Sequence, residues 1–186
     1  LQNHLLQLLS LVAMEPPATF EADALRDEKV KVIRAIPELT REQVARDVVR
    51  GQYGPGWVSA KPVVGYRQEP RVDPASETET YVAARFTIDD WRWSGVPFYL
   101  RMGKRLPKRA TEIAIQFKEV PHQLFKDSAS EPEANLLAMR IQPDEGIMLR
   151  FGAKVPGLGI DVRNVTMDFT YGSAFQADSP DAYETL

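Results

Sequence analysis

The sequence predicts an α+β fold in which a largely antiparallel sheet carries helices packed on one face. Two observations predict it. Helical periodicity is confined to the first 36 residues, and period-two alternation of apolar and polar residues dominates from residue 81 onward. The strand patterns alternate instead of running solidly apolar, which is the habit of antiparallel strands.

The elements follow in order. Leu1, Leu5, Leu6, Leu8, Leu9, Leu11, Val12, Ala13 and Met14 make nine of the first fourteen residues apolar, the pattern of a buried helix. No capping residue precedes it, and Pro16-Pro17 ends it, because proline cannot donate the helical hydrogen bond. In residues 23–36, Leu25, Val30, Ile33 and Ile36 recur near a 3.6 period, with Asp23 as the expected cap and Pro37 as the stop. Thr40-Arg41-Glu42-Gln43 has the form of a capping box, yet residues 47–53 read as a strand, so a short turn and then a strand are expected. Residues 54–76, rich in Gly and Pro, read as a long loop. Strands are then expected at residues 81–88, 96–102, 113–117, 136–142, 147–151 and 165–171, with Pro143-Asp144-Glu145-Gly146 as a hairpin turn. Residues 180–186 resemble a helix start. The uncapped first helix and this last turn together suggest a fragment cut inside an element at both ends.

Composition narrows the function. The 186 residues carry a net charge of −3 and are 44% hydrophobic, a mix able to form a packed core. The absence of cysteine excludes disulfides, thiolate catalysis and cysteine zinc sites, and it fits a reducing compartment such as the cytoplasm. The two histidines, His4 and His122, leave little room for a histidine metal cluster. The near-neutral charge argues against a nucleic-acid partner. The first apolar run is too short and interrupted to span a membrane, and it lacks the basic flank of a signal peptide.

The densest charge feature is residues 101–109, with five cations, Arg101, Lys104, Arg105, Lys108 and Arg109, in nine positions. Bent by Gly103 and Pro107, the segment reads either as cations converging on a phosphate or as a solvated basic hairpin that meets acids elsewhere. A second candidate is the polar face of the later strands, where Arg140, Gln142, Arg150 and Asp168 can lie side by side. The competing reading is an ordinary exposed sheet face, or, with Leu136 and Met148, a subunit interface. Asp89-Asp90-Trp91-Arg92-Trp93 reads first as an aromatic anchor at a strand end. No Gly-x-Gly-x-x-Gly follows a strand, and no triad, paired-carboxylate or metal arrangement is visible.

Several segments, in order along nearly the whole chain, carry a resemblance. They include Gln2-Asn3-His4-Leu5-Leu6-Gln7, Ala13-Met14-Glu15-Pro16-Pro17, Arg26-Asp27-Glu28-Lys29-Val30-Lys31-Val32, Arg50-Gly51-Gln52-Tyr53 and Thr78-Glu79-Thr80-Tyr81. The run from Trp91-Arg92-Trp93-Ser94-Gly95-Val96-Pro97-Phe98 through Lys104 to Phe117 continues the set, as do Arg140-Ile141-Gln142-Pro143-Asp144-Glu145, Lys154-Val155-Pro156-Gly157 and Asp181-Ala182-Tyr183-Glu184. Together they resemble the glucose-6-phosphate dehydrogenase family.

That resemblance implies that residues 1–186 are part of a C-terminal α+β domain for substrate binding and dimerisation, without the family's N-terminal Rossmann coenzyme domain. It implies oxidation of glucose 6-phosphate to 6-phospho-D-glucono-1,5-lactone with NADP, at the entry to the pentose phosphate pathway, by a cytoplasmic homodimer or tetramer. By position, Lys104 matches a lysine that contacts substrate, Arg109 a basic residue that grips the phosphate, and Gln142 a glutamine implicated in sugar binding. Arg101, Arg140, Arg150 and Asp168 resemble contacts to a second, structural NADP held by some animal members. Ala110 and Ala114 stand where those members carry a lysine and an arginine, so no coenzyme site is expected here. The family's general-base histidine falls outside this stretch, since His4 belongs to a scaffold motif, and the isolated chain is expected to be inactive. The rival readings are an anion-binding module and a purely structural dimerisation domain.

Overall fold

The computed structural model describes residues 2–122, 133–157 and 159–175. The helix start read at residues 180–186 lies outside them. The chain divides into two compact units, Leu1–Pro107 and Lys108–Leu186.

In the first unit, helices α1 (Gln2–Ala13) and α2 (Ala22–Arg34) lie against one another, and α1 also meets a three-stranded sheet. Leu9 and Ala13 of α1, Val32 of α2 and Ile88 form the buried core, with Trp93, Phe98 and Leu100 packed around it. Ile88 is 1% exposed. Trp93 is the anchor the sequence suggested: its indole N–H donates to the Ala13 carbonyl at 2.9 Å, and its ring meets Phe98 edge-on. Trp91 is fully exposed. The Arg92 guanidinium grips Glu15 through two hydrogen bonds of 2.6 and 2.7 Å, tying the segment after α1 to the same turn.

Three local expectations are corrected. Asp23 does not cap α2. Glu21 occupies the cap position without a side-chain hydrogen bond, and Asp23 sits in the first turn paired with Arg26, where a carboxylate still favours the helix dipole. The Thr40 box opens a true helix, α3 (Arg41–Asp47), before strand β1 (Val48–Gly51). The Gln43 N–H donates to the Thr40 hydroxyl at 3.3 Å while the Gln43 side chain accepts from the Thr40 N–H at 2.8 Å, so both ends of the box close. The long loop holds a hairpin, β2 (Gly56–Val58) and β3 (Lys61–Val63), then a 3₁₀ turn at Tyr66–Gln68. Its turn residues Ser59 and Ala60 both have positive φ, 49° and 62°. Such turns normally announce themselves through Asn-Gly or Asp-Gly, which explains why the pattern hid it.

Strand β1 pairs with β4 (Tyr81–Phe86), and β4 with β5 (Phe98–Gly103), all antiparallel. In the second unit β6 (Thr111–Gln116), β7 (Leu136–Gln142), β8 (Gly146–Lys154) and β9 (Val162–Thr170) form an antiparallel meander. Its register aligns Ile113, Met139, Ile147 and Phe169 across the four strands, and Ile115, Leu137, Leu149 and Met167 beside them. One sheet face is therefore apolar, as the alternation requires. The short helix α4 (Tyr171–Phe175) follows β9, and its Tyr171 and Phe175 rings meet Phe169. The α+β, antiparallel class holds, with the strands of the described residues distributed over three sheets and α1 and α2 serving the first.

Candidate functional site

The basic segment begins at the end of β5. Gly103 pairs with Tyr81, and a Cβ at Gly103 would lie 2.9 Å from the Tyr81 ring and 3.2 Å from Leu106, so a larger residue there would have to displace these side chains. Lys104 comes next. Its N–H donates to the Thr80 carbonyl at 2.8 Å, while its side chain is exposed and makes no hydrogen bond or ion pair with another described residue. Thr80 is 5% exposed, and its hydroxyl accepts the Tyr53 N–H at 3.0 Å. The root of Lys104 is thus fixed to buried structure while its ammonium meets no described partner.

Arg105 departs from the picture of five converging cations. It adopts a left-handed φ of 57°, and its Nη2 donates to Glu69 Oε1 at 2.6 Å. The same carboxylate oxygen accepts the Tyr53 hydroxyl at 3.2 Å, and the guanidinium stands 6.0 Å from the centre of the Tyr53 ring. The Glu69 hydrogen bond, with Tyr53 second, pushes the Arg105 pKa further up. Sequence reasoning missed this trio, because Glu69 lies 36 positions from Arg105 inside what read as a featureless loop. Arg101 lies within β5 opposite Ala83, exposed and without a described partner.

Arg109 belongs to the second unit, just before β6, exposed and without a described partner. Gln142 ends β7, half-buried and in register with Thr111. The structure does bring Arg140 and Asp168 together. The Arg140 guanidinium crosses β8 over Gly146, which has no side chain to block it, and donates to both Asp168 oxygens at 2.9 and 2.7 Å. Arg150 pairs instead with Glu133 at 3.0 Å. The Nε atoms of Arg140 and Arg150 are buried without a hydrogen-bond partner among the described residues. Among the described residues, no group of three His, Asp or Glu side chains is placed to hold a metal.

The hydrogen bonds from Arg140 hold the Asp168 carboxyl below its ordinary pKa. A lowered folded pKa contributes stability that is present above the unfolded value of about 3.9 and is lost as pH falls through the folded value. Asp168→Asn is therefore expected to lower the unfolding midpoint at neutral pH. The gap to wild type should close in a series of thermal melts as pH falls through the lowered folded value. A gap that persists undiminished in acid would show the pair to be electrostatically idle.

The fold defines a class: an α+β chain whose second unit is an antiparallel meander, with Lys104 in the first unit and Arg109 in the second both exposed and without a described partner. The family model described as glucose-6-phosphate dehydrogenase, C-terminal domain, matches residues 1–186, and the chain belongs to that family. It is 52% identical over 185 residues to glucose-6-phosphate 1-dehydrogenase of Aggregatibacter actinomycetemcomitans, covering 100% of this chain and 37% of that protein. It is also 52% identical over 186 residues to the enzyme of the same name from Mycolicibacterium smegmatis, with the same coverage. A crystal structure of glucose-6-phosphate 1-dehydrogenase from Mycobacterium avium superposes with a TM-score of 0.75 at 44% identity, over 91% of this chain and 34% of that one. A glucose-6-phosphate dehydrogenase in complex with its substrate glucose-6-phosphate superposes with a TM-score of 0.82 at 38% identity, over 99% of this chain and 36% of that one. The chain thus spans little more than a third of the length of these relatives.

Proposed function

We propose that this chain supplies the sugar-phosphate grip and the subunit-contact sheet of a cytoplasmic, NADP-linked glucose-6-phosphate dehydrogenase of the pentose phosphate pathway. The observation that carries the reading is Lys104. Within a chain matched along its whole length by the family, it stands exposed, without a described partner and rooted in buried structure. In this reading the Lys104 ammonium meets the substrate as a compact point charge with three donors. The Arg109 guanidinium takes two phosphate oxygens at once, and the Gln142 amide donates to or accepts from the sugar hydroxyls. Removal of hydride from C1 to NADP, and of the C1 hydroxyl proton to a histidine base, belongs to an N-terminal coenzyme domain in the remainder of the protein.

The pairings of the four residues that resemble a structural NADP site support reading them first as sheet-face residues. Arg140 and Asp168 neutralise each other and Arg150 is engaged by Glu133, which leaves Arg101 as the one of the four without a described partner. The exposed Val165, Met167, Phe169 and Ile147 on the apolar face of the meander support a role for this sheet in homodimer or tetramer formation.

The protein produced from its complete coding sequence is expected to reduce NADP on addition of glucose 6-phosphate and to sediment as an oligomer, whereas residues 1–186 alone should not reduce it. Failure of the complete protein to turn over, or steady absorbance growth at the NADPH band with the isolated chain, overturns the assignment.

A further inference from the structure

We propose that Arg105, Glu69 and Tyr53 form a positioning clamp that sets where Lys104 meets the sugar phosphate. The proposal rests on the reading of Lys104 as a substrate contact. The contacts form a closed circuit. Lys104 donates its N–H to the Thr80 carbonyl, the Thr80 hydroxyl accepts the Tyr53 N–H, and the Tyr53 hydroxyl donates to Glu69. Glu69 accepts from Arg105, which is covalently joined to Lys104. Tyr53 is itself steadied by Tyr66, whose ring meets it edge-on at 5.8 Å, and the Glu69 N–H donates to the Tyr66 carbonyl at 3.1 Å.

Two physical needs point to this purpose. A lysine carries its charge on a flexible stem, so the placement of the ammonium depends on how firmly its backbone is held. The residue that follows is a non-glycine in the left-handed region, with φ of 57°, a conformation that persists only where the surroundings over-determine it. The Glu69 and Tyr53 contacts are that over-determination. Glu69 also offsets one positive charge of the segment, since Arg105 is drawn onto it and away from any anion, while the adjacent Lys104 ammonium keeps no described partner. Arg105 therefore acts through Lys104 and is a positioning residue.

The test uses the protein produced from its complete coding sequence, with steady-state kinetics in glucose 6-phosphate. Arg105→Ala and Glu69→Gln are each expected to raise KM about tenfold while kcat stays within roughly twofold, since a misplaced contact loses binding common to ground and transition states. Arg105→Lys should recover most of the loss, and Tyr53→Phe should show a smaller increase of about threefold, with unfolding midpoints close to wild type. The decisive comparison is Arg105→Ala in a Lys104→Ala background, where no further rise is expected because the residue it positions is gone. Multiplicative effects in that double variant would show that Arg105 acts on the substrate directly and would overturn the clamp. Unchanged KM in both Arg105→Ala and Glu69→Gln, alongside a raised KM in Lys104→Ala, would also overturn it while leaving Lys104 as a contact. Unchanged KM in Lys104→Ala itself overturns both readings.

Discussion

Lys104→Ala, made in the protein produced from its complete coding sequence, is expected to raise KM for glucose 6-phosphate by roughly 10- to 100-fold. That range is the consequence of losing one charge-assisted hydrogen bond worth about 1.5–3 kcal/mol. The effect should fall on KM more than on kcat, because a phosphate or sugar hydroxyl distant from C1 carries the same charge in substrate and transition state. Arg109→Ala should act in the same sense, and Lys104→Arg should restore charge without restoring shape, since a planar fork replaces a compact ammonium. The basis is geometric. The Lys104 backbone is tied to Thr80 at 2.8 Å and its side chain meets no described partner. A salt-bridged lysine would have to break its pair before binding anything. Values of KM within twofold of wild type for both alanine variants would return the basic segment to a solvated hairpin.

Gly146→Val is expected to destabilise the second unit by at least about 3 kcal/mol, the upper part of the range for overpacking a site that cannot yield. A Cβ at this position would fall inside hard contact with the Phe169 carbonyl oxygen and the Arg140 guanidinium. The first is β9 backbone, held by the ladder between Gly146 and Thr170, and cannot swing aside. The second can move only by releasing Asp168. The substitution therefore either splits β8 from β9 or strands both partners of the ion pair. Gly152→Ala is the control on the same strand: its Cβ would meet only the Val162 side chain, at 3.1 Å, which can adjust by a rotamer change. Urea unfolding of the two variants side by side checks the contrast, and equal midpoints would show that the close approach at Gly146 is not limiting.

Much of the fold was legible because its signals are local. The period-two runs at residues 136–142 and 165–171 place apolar side chains on one face whatever their partners, and the structure aligns Met139 with Ile147 and Phe169 accordingly. The helix breaks at Pro16-Pro17 and Pro37 rest on the missing proline N–H, a property of the residue itself. The β2–β3 hairpin was not legible, because its turn uses Ser59 and Ala60, residues that ordinarily avoid positive φ. The Thr40 box was misjudged for a different reason. The β-rich residues after it outweighed a seven-residue helix that ends where those residues begin.

The site divides along the same line. From the sequence alone came the concentration of charge at residues 101–109, the candidates Lys104, Arg109 and Gln142, and the family likeness, because residue type and order need no coordinates. Only the tertiary structure decided which charges remain available. Arg105 is neutralised by a carboxylate 36 positions away and Arg140 by one 28 positions away, while the Lys104 and Arg109 side chains have no described partner. The physical reason is that a cation's availability depends on which acid the fold brings within about 3 Å of it. Strand pairing and loop closure set that distance over tens of residues, where no local pattern reports it.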